Sequence, residues 1–229
     1  MKIIEFESLS STNDYAKAHL TEGNMIITAK RQTAGRGSKH RSFDSGAGGL
    51  YLTKLTFYEN FPACDVFRIM LNASVAVCRT VEDFGLSAAI KWPNDVYVGG
   101  KKICGILIEN SFSGAFIRYS VVGIGVNVNN SLPEKLKEIA TTMATEKNKE
   151  FSVDAVKEKL IMHMTETFSV EEYKRYIFFF GQKVRLLQDD GIHEAIACDV
   201  DEKGRLIVEE FGVCRAVTAG EVSLRFESI

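Results

Sequence analysis

The chain has 229 residues, 45% hydrophobic and 25% charged, enough for one sizeable core plus a small appendage, and unlike a disordered or fibrous protein. A formal net charge of -2 supplies no overall drive toward nucleic-acid phosphates and leaves only a local basic patch as an option. No apolar run approaches the ~20 residues of a membrane span, residues 1–6 carry no signal-peptide core, and the scattered cysteines form no C-x-x-C pair, so a reduced, cytoplasmic protein is expected.

In chain order, residues 2–6 read as a short strand, and Ser11-Thr12-Asn13-Asp14 offers capping side chains for a helix through Tyr15, Ala16 and Leu20. A strand at 25–29 opens into a long segment, 31–49, with Gly35, Gly37, Gly46, Gly48 and Gly49 but only Ala34, Phe43 and Ala47 as apolar side chains. Loops of that length inside a compact domain are generally functional or disordered. Strand character returns over 50–57, and 66–84 is a mostly apolar helix that ends before Gly85. Residues 89–98 and 101–109 are strand-like around Gly99-Gly100, which tolerates the positive φ of a tight hairpin turn. An apolar strand at 116–128, a short helix at 133–139 and a helical region at 153–176, divided around Phe168-Ser169, complete the larger part. From Gln182 five short β-rich runs alternate with turn signals at Asp189-Asp190-Gly191, 201–204 and Phe211-Gly212, the pattern of a small barrel. So small a unit buries too little surface to stand alone and is expected to dock on the rest. The expected domains are 1–181 and 182–229.

Residues 32–41 combine backbone freedom with cationic donors, as an anion-binding loop must, although they lack P-loop spacing and a solvated surface loop fits equally. Gly123-Ile124-Gly125-Val126-Asn127 has Val128 where a dinucleotide fingerprint needs its third glycine. Lys91-Trp92-Pro93-Asn94-Asp95 contains the only Trp. A kink there brings Asn94 and Asp95 to a site above a packed Trp92, or a β-bulge with an Asx turn serves the fold alone. Of Lys101 and Lys102, at least one must face the packed side of its strand and needs an anion partner; periodicity does not choose, because both faces are apolar. His19, His163 and His193 have no carboxylate or cysteine at ligand spacing, and Phe178-Phe179-Phe180 reads as packing between the domains.

Ser11-Thr12-Asn13, Gln32-x-x-Gly35-Arg36-Gly37 with Arg41, Lys91-Trp92-Pro93-Asn94-Asp95, Lys102-x-x-Gly105-Ile106-Leu107-x-Glu109, Gly123-x-Gly125-Val126-Asn127, Ala140-Thr141-Thr142 and Gly220-Glu221-Val222-Ser223-Leu224-Arg225 together resemble the biotin protein ligases, in identity and order, over nearly the whole chain. The resemblance implies an α/β (α+β) fold, with a mixed-sheet catalytic domain similar to class II aminoacyl-tRNA synthetases and a C-terminal SH3-like barrel. It implies a ligase that uses ATP and Mg2+ to form biotinyl-5'-AMP and passes biotin to a lysine of a biotin carboxyl carrier protein, as a monomer or homodimer. Ser11, Thr12, Asn13 and Gln32 would line the biotin ring pocket, and Gly35, Arg36, Gly37 and Ser38 would close over the intermediate. Lys102, beside Gly105, would meet the reacting carboxylate and phosphate. Arg41, Trp92, Asn94, Asn127 and Arg225 would lie toward ATP, with Asp95 and Asn127 toward the magnesium.

Chemistry supports those roles. Biotin's ureido edge offers two N–H donors and a carbonyl beside an apolar ring, which uncharged Ser, Thr, Asn and Gln can pair. Its carboxylate must attack the α-phosphate, anion on anion, so Lys102 and Arg36 are the expected catalytic cations. Asp95 is the candidate base for the carrier's amine, orientation of its neighbours being an equal reading. One departure stands out: family members commonly carry Arg directly after Gly-Arg-Gly and Gly two residues on, where this chain has Ser38 and His40, so a looser hold on the adenylate is expected. Two other readings remain. A lipoate-type acyl-adenylate ligase shares the fold but lacks the Trp-Pro-Asn-Asp pairing, and a non-catalytic biotin-binding or regulatory protein would not need Lys102 and Asp95. Ten residues before Ser11 leave no room for a repressor's helix-turn-helix domain, so neither a nucleic-acid partner nor a membrane is expected.

Overall fold

A computed structural model describes residues 1–38, 41–188, 191–219 and 223–225 of the chain, with the backbone alone for Gln188 and 223–225. Its larger part is a seven-stranded mixed sheet in the order β1-β2-β3-β7-β6-β5-β4, made of β1 (Lys2–Phe6), β2 (Met25–Ala29), β3 (Leu50–Pro62), β4 (Ala89–Lys91), β5 (Asp95–Val98), β6 (Lys101–Ser113) and β7 (Phe116–Val126). Only β1 and β2 run parallel; every other neighbouring pair is antiparallel. Helix α1 (Thr12–Ala18) lies on one face, where Ala16 packs with Met25, Ile27, Leu55 and Val121. Helix α2 (Phe67–Asp83) covers the other, burying Leu71, Val75, Cys78 and Val81 in a cluster with Ile26, Leu52, Ile106 and Ile124. Strand residues alternate between the two clusters, as the two-residue period of a pleated sheet requires.

Helix α2 ends at the Phe84 cap and is followed by Gly85 at φ +76, the left-handed position that glycine occupies without steric cost. The helical region expected at 153–176 is two helices, α4 (Val153–His163) and α5 (Val170–Arg175), preceded by a short α3 (Met143–Lys147) that periodicity does not reveal. Ser169 starts α5 with a capping box, exchanging hydrogen bonds with Glu172. The helix expected at 133–139 is a single 3-10 turn, Glu134–Leu136.

Several strands differ from the sequence reading: β6 runs on to Ser113, β7 ends at Val126, a strand of the C-terminal part begins at Gly191, and two others differ more. β3 continues past Phe57 to Pro62 because an irregularity between Phe57 and Phe61 absorbs the polar Glu59-Asn60 and lets the ladder with β7 resume. The single strand expected at 89–98 folds back on itself instead: Lys91 pairs with Asp95 across a turn at Trp92-Pro93-Asn94. Proline cannot donate to a ladder, so a turn is where it fits. The next turn, Gly99-Gly100, has φ +56 and +78, as a two-residue hairpin with two positive φ values requires.

The C-terminal part is a five-stranded antiparallel sheet, ordered β11-β10-β9-β8-β12, from β8 (Lys183–Gln188), β9 (Gly191–Val200), β10 (Leu206–Glu210), β11 (Val213–Val217) and β12 (Ser223–Arg225). It docks on the larger part as expected. Val184, Leu186, Ala197, Leu206 and Val208 join the α2 cluster, and a Cβ added at Gly204 would lie 2.1 Å from the Phe67 ring. Lys174 on α5 also reaches Asp199 at 3.0 Å. Of the three consecutive phenylalanines, Phe179 is buried in this core while Phe178 is exposed beside Tyr97. No helix among the described residues is long and apolar enough to cross a membrane.

Candidate active site

Three glycines leave part of the α1 face of the sheet bare. Gly105 on β6 pairs with Gly125 on β7, in register with Tyr51 on β3, and the next position toward α1 pairs Leu107, Gly123 and Thr53. A Cβ added at Gly123 would lie 2.2 Å from Asn13 Oδ1, and one at Gly125 would lie 2.6 Å from the Phe43 ring. The missing side chains therefore admit Asn13 and Phe43 to the sheet surface. This Gly-x-Gly pair sits inside a strand and not at a strand-to-helix turn, which is why it does not act as a dinucleotide loop.

One end of the resulting cleft is uncharged. Ser11 caps α1, its Oγ accepting the Asp14 N–H, and this points Thr12 and Asn13 at the sheet. Thr12 donates its N–H at 2.8 Å and its hydroxyl at 3.1 Å to Gln32 Oε1, and Gln32 Nε2 donates to Ser45 Oγ at 3.0 Å. The buried Thr53 hydroxyl is 2.7 Å from both Thr12 Oγ1 and Asn13 Oδ1. Asn13 Nδ2 in turn donates to Glu109 at 3.0 Å.

Glu109 belongs to a charged rim that fastens the 31–49 loop. Arg36 reaches Asp14 at 2.5 Å and Glu109 at 3.1 Å, while Lys17 is 3.0 Å from each of the same carboxylates. Burial alone would raise both carboxyl groups, but hydrogen bonds from Lys17 with Arg36 or Asn13, and the two positive charges, hold Asp14 and Glu109 below the usual carboxylate range. Behind the rim the loop crosses itself at Gly35, where a Cβ would lie 2.3 Å from Ser45 Oγ.

The other end carries Lys102, whose Nζ is 2.7 Å from Asp95 Oδ1, both side chains about one-third exposed. Lys101 turns away and donates to the Lys137 carbonyl at 2.7 Å, which answers the question periodicity left open. The Ala140-Thr141-Thr142 block is the neighbour that steadies Lys102: its N–H donates to Ile139 and its carbonyl accepts the Thr141 N–H.

Ser11, Thr12, Asn13, Gln32, Arg36, Gly37, Ser38, Asp95, Lys102 and Gly105 thus line one cleft, with Gly35 directly behind it. The residues expected toward ATP are placed differently. Asn94 donates to the Ile106 carbonyl at 2.7 Å, Trp92 is buried with its ring N–H on the Gly204 carbonyl at 3.0 Å, and Arg41 is exposed with its Nε on the Ser38 carbonyl. Asn127 is buried, giving its amide N–H to Thr141 and accepting from Asn130 with one of its two carbonyl lone pairs, and it is not among the described residues that line the cleft. Asp95 suits a magnesium ion, since magnesium commonly takes one or two carboxylates plus phosphate oxygens and only one Asp95 oxygen meets Lys102. The side chain of Arg225, and Lys39, His40, Gly220 and Glu221, lie outside the described residues.

Sequence reasoning missed Phe43, Thr53, Asp14 and Lys17, and gave Glu109 no role. Phe43 carried a signal, as one of the few apolar side chains in the glycine-rich loop. Thr53 carried none beyond being polar in a buried strand. His163, expected without carboxylate partners, has two: Glu166 at 2.8 Å and Asp83 at 3.1 Å, the latter brought from α2 by the fold.

Residues 5–127 match the model of the Biotin/lipoate A/B protein ligase family, and residues 179–225 match the Biotin protein ligase C terminal domain. The chain is 28% identical to the bifunctional ligase/repressor BirA of Bacillus subtilis, over 97% of this chain and 74% of that one. It is also 28% identical to the biotin–[acetyl-CoA-carboxylase] ligase of Mycobacterium tuberculosis, over 93% and 85%. Among solved structures, the biotin protein ligase of Aquifex aeolicus in complex with biotin and ATP superposes with a TM-score of 0.85 at 27% identity, covering 99% of each chain.

Proposed function

We propose, on the premise that this chain belongs to the Biotin/lipoate A/B protein ligase family, that its cleft holds biotin with the ureido ring against Thr12, Asn13, Gln32 and Thr53 and the carboxylate toward Lys102. The protein is an ATP-dependent biotin ligase. A carboxylate oxygen of biotin attacks the α-phosphorus of ATP and expels pyrophosphate, leaving biotinyl-5'-AMP. The amine of a lysine on a biotin carboxyl carrier protein then attacks the biotinyl carbonyl, forming the amide and releasing AMP. The observation that carries the orientation is the opposite chemistry of the two cleft ends, neutral donors and acceptors around Thr12 and a cation at Lys102.

Lys102 exchanges its Asp95 contact for the reacting carboxylate and phosphate, where a charge-assisted hydrogen bond lowers the repulsion between two anions. Asp95, released, accepts a proton from the carrier's lysine, or would hold a magnesium ion accompanying ATP, which would offset phosphate charge. Arg36 keeps the 31–49 loop over the intermediate through Asp14 and Glu109, with Gly37 and Ser38 nearest the adenylate. Arg41, Trp92, Asn94, Asn127 and Arg225 complete the ATP side, Trp92, Asn94 and Asn127 by holding backbone in place. We set the domain boundary at 181/182, assign the protein to the cytoplasm, and give it no nucleic-acid partner; one chain supplies every residue named, so a monomer suffices.

Biotin-dependent exchange of labelled pyrophosphate into ATP tests the reading. Exchange with biotin and not with lipoate is expected; lipoate-driven exchange without biotin-driven exchange would overturn it.

A further inference from the structure

The outer face of the C-terminal sheet carries a group of side chains that the ligase reaction does not use. Glu209 on β10 and Cys214 on β11 are direct cross-strand partners, so their side chains share a face. Cys198 joins them through an irregularity in β9: Ala197 pairs with Val208 and Asp199 with Ile207, leaving Cys198 as the extra residue of a bulge. Ala197 is buried and Cys198 is exposed, so the bulge turns this thiol outward beside Glu209. The two sulfurs and a Glu209 oxygen all lie within 4.8 Å of one another, and the Cys198 thiol donates to the Ile196 carbonyl at 3.4 Å. Among the described residues this is the one group of three or more His, Cys, Asp or Glu ligand atoms that converge so closely.

We infer that Cys198, Glu209 and Cys214 form a binding site for a soft divalent cation of the zinc class. Two thiolates and a carboxylate are the donors such an ion takes, and around a tetrahedral zinc with ~2.3 Å bonds to sulfur the two sulfurs sit about 3.8 Å apart. The donors need move by little to reach that spacing. A disulfide is the competing use of two neighbouring cysteines, and the strand order opposes it. β9 and β11 flank β10 and are not neighbours, so their backbones run roughly 9–10 Å apart, beyond the ~7 Å that a disulfide spans. Each cysteine side chain reaches inward across part of that gap, which suits a shared ion between them. On binding, the two thiols release their protons to solvent, and solvent fills the fourth place. The ion would tie the edge strand β11 to β9 over the top of β10.

The test uses the full-length, reduced, metal-free protein titrated with Co2+, whose thiolate complexes absorb through sulfur-to-metal charge transfer, followed by displacement with Zn2+. One equivalent of Co2+ with that absorption is expected, together with a metal-dependent rise in Tm. Cys198→Ser and Cys214→Ser each abolish both signals, while Cys64→Ser, at an exposed cysteine elsewhere, leaves them unchanged. Glu209→Gln weakens binding by on the order of tenfold or more, since even outer-shell partners of metal ligands are worth that much. The metal-free Tm of each variant checks folding separately. Absent charge-transfer absorption, absorption that survives both cysteine variants, or peptide mapping that finds a Cys198–Cys214 disulfide in untreated protein would each overturn the assignment.

Discussion

The two ends of the cleft are built on different principles. At the ring end, Thr53, Thr12, Asn13, Gln32 and Ser45 form a chain of hydrogen bonds between uncharged groups, most of them buried and each satisfied by another part of the protein. At the proposed reacting end two charges face each other, Lys102 and Asp95, with no further ion pair among the described residues, and both are partly open to solvent. The first arrangement fixes geometry before any ligand arrives, because breaking one link strands a buried polar group. The second keeps charge neutralised until an anion arrives to replace the internal partner. On the proposed reading, recognition and reaction are separable by mutation, and the separation can be measured.

The largest effect is expected at the reacting end. Lys102→Ala should slow pyrophosphate exchange by about 10²–10³-fold while biotin affinity, followed by calorimetry, changes far less. Lys101→Ala, on the outward-turned neighbour, should do neither. An unchanged exchange rate in Lys102→Ala would break the division. Gly123→Ala acts on the ring end, where the added carbon would lie 2.2 Å from Asn13 Oδ1 and push the start of α1 off the sheet. Biotin affinity should fall by tens of fold, with residual turnover at saturating biotin largely kept. Thr53→Val removes a single hydroxyl from the same chain and should raise the biotin KM about tenfold at near-constant kcat, the loss of one buried hydrogen bond.

Ser38→Arg lies between the two ends, in the loop that closes the cleft. It should slow release of the adenylate by on the order of tenfold in a stopped-flow chase, a charge-assisted contact being worth ~1.5–3 kcal/mol. No change there, with faster release in Lys39→Ala, would place the missing charge one residue along. The smallest effect concerns pH. Asp14 and Glu109 are held below the usual carboxylate range, so the stability they lend loop closure is fully present above the ordinary value near ~4 and is lost as pH falls through the depressed folded values. Hydrogen exchange across residues 31–38 should therefore stay level from neutral to mildly acidic pH, after correction for intrinsic rates, and accelerate only in strong acid.

Sequence patterns spoke clearly where chemistry is local. The α1 cap at Ser11, the Gly99-Gly100 hairpin and the break before α5 are each dictated by a few adjacent residues, and all appear as read. The cleft residues Ser11 to Asn13, Gln32 and Lys102 were reached through motif order and converge as implied. Patterns were silent where the cause is distant. Which lysine faces the cleft depends on how β6 pairs with β5 and with residues 139–141. Phe43 finds its place only because Gly105 and Gly125, more than sixty residues away, leave room for its ring. The turn at Trp92-Pro93-Asn94 was visible as a disturbance, but its direction is set by α5 and the C-terminal sheet.

That last turn links Asp95, the proposed proton acceptor, to the C-terminal sheet, none of whose described side chains lines the cleft. Asp95 directly follows a loop pinned at three points: Trp92 to the Gly204 carbonyl, the Pro93 carbonyl to the Tyr173 hydroxyl, and Asn94 to Ile106. The C-terminal sheet works as a backstop for this loop, and Gly204, closed down on Phe67, is the bolt. Severed after Gly181, the chain would retain every described residue of the cleft lining and yet leave the indole without the Gly204 carbonyl and the Phe67 ring without Gly204 over it. On the proposed reading, a carrier protein leaning on the C-terminal sheet would, by the same mechanical connection, press on Asp95.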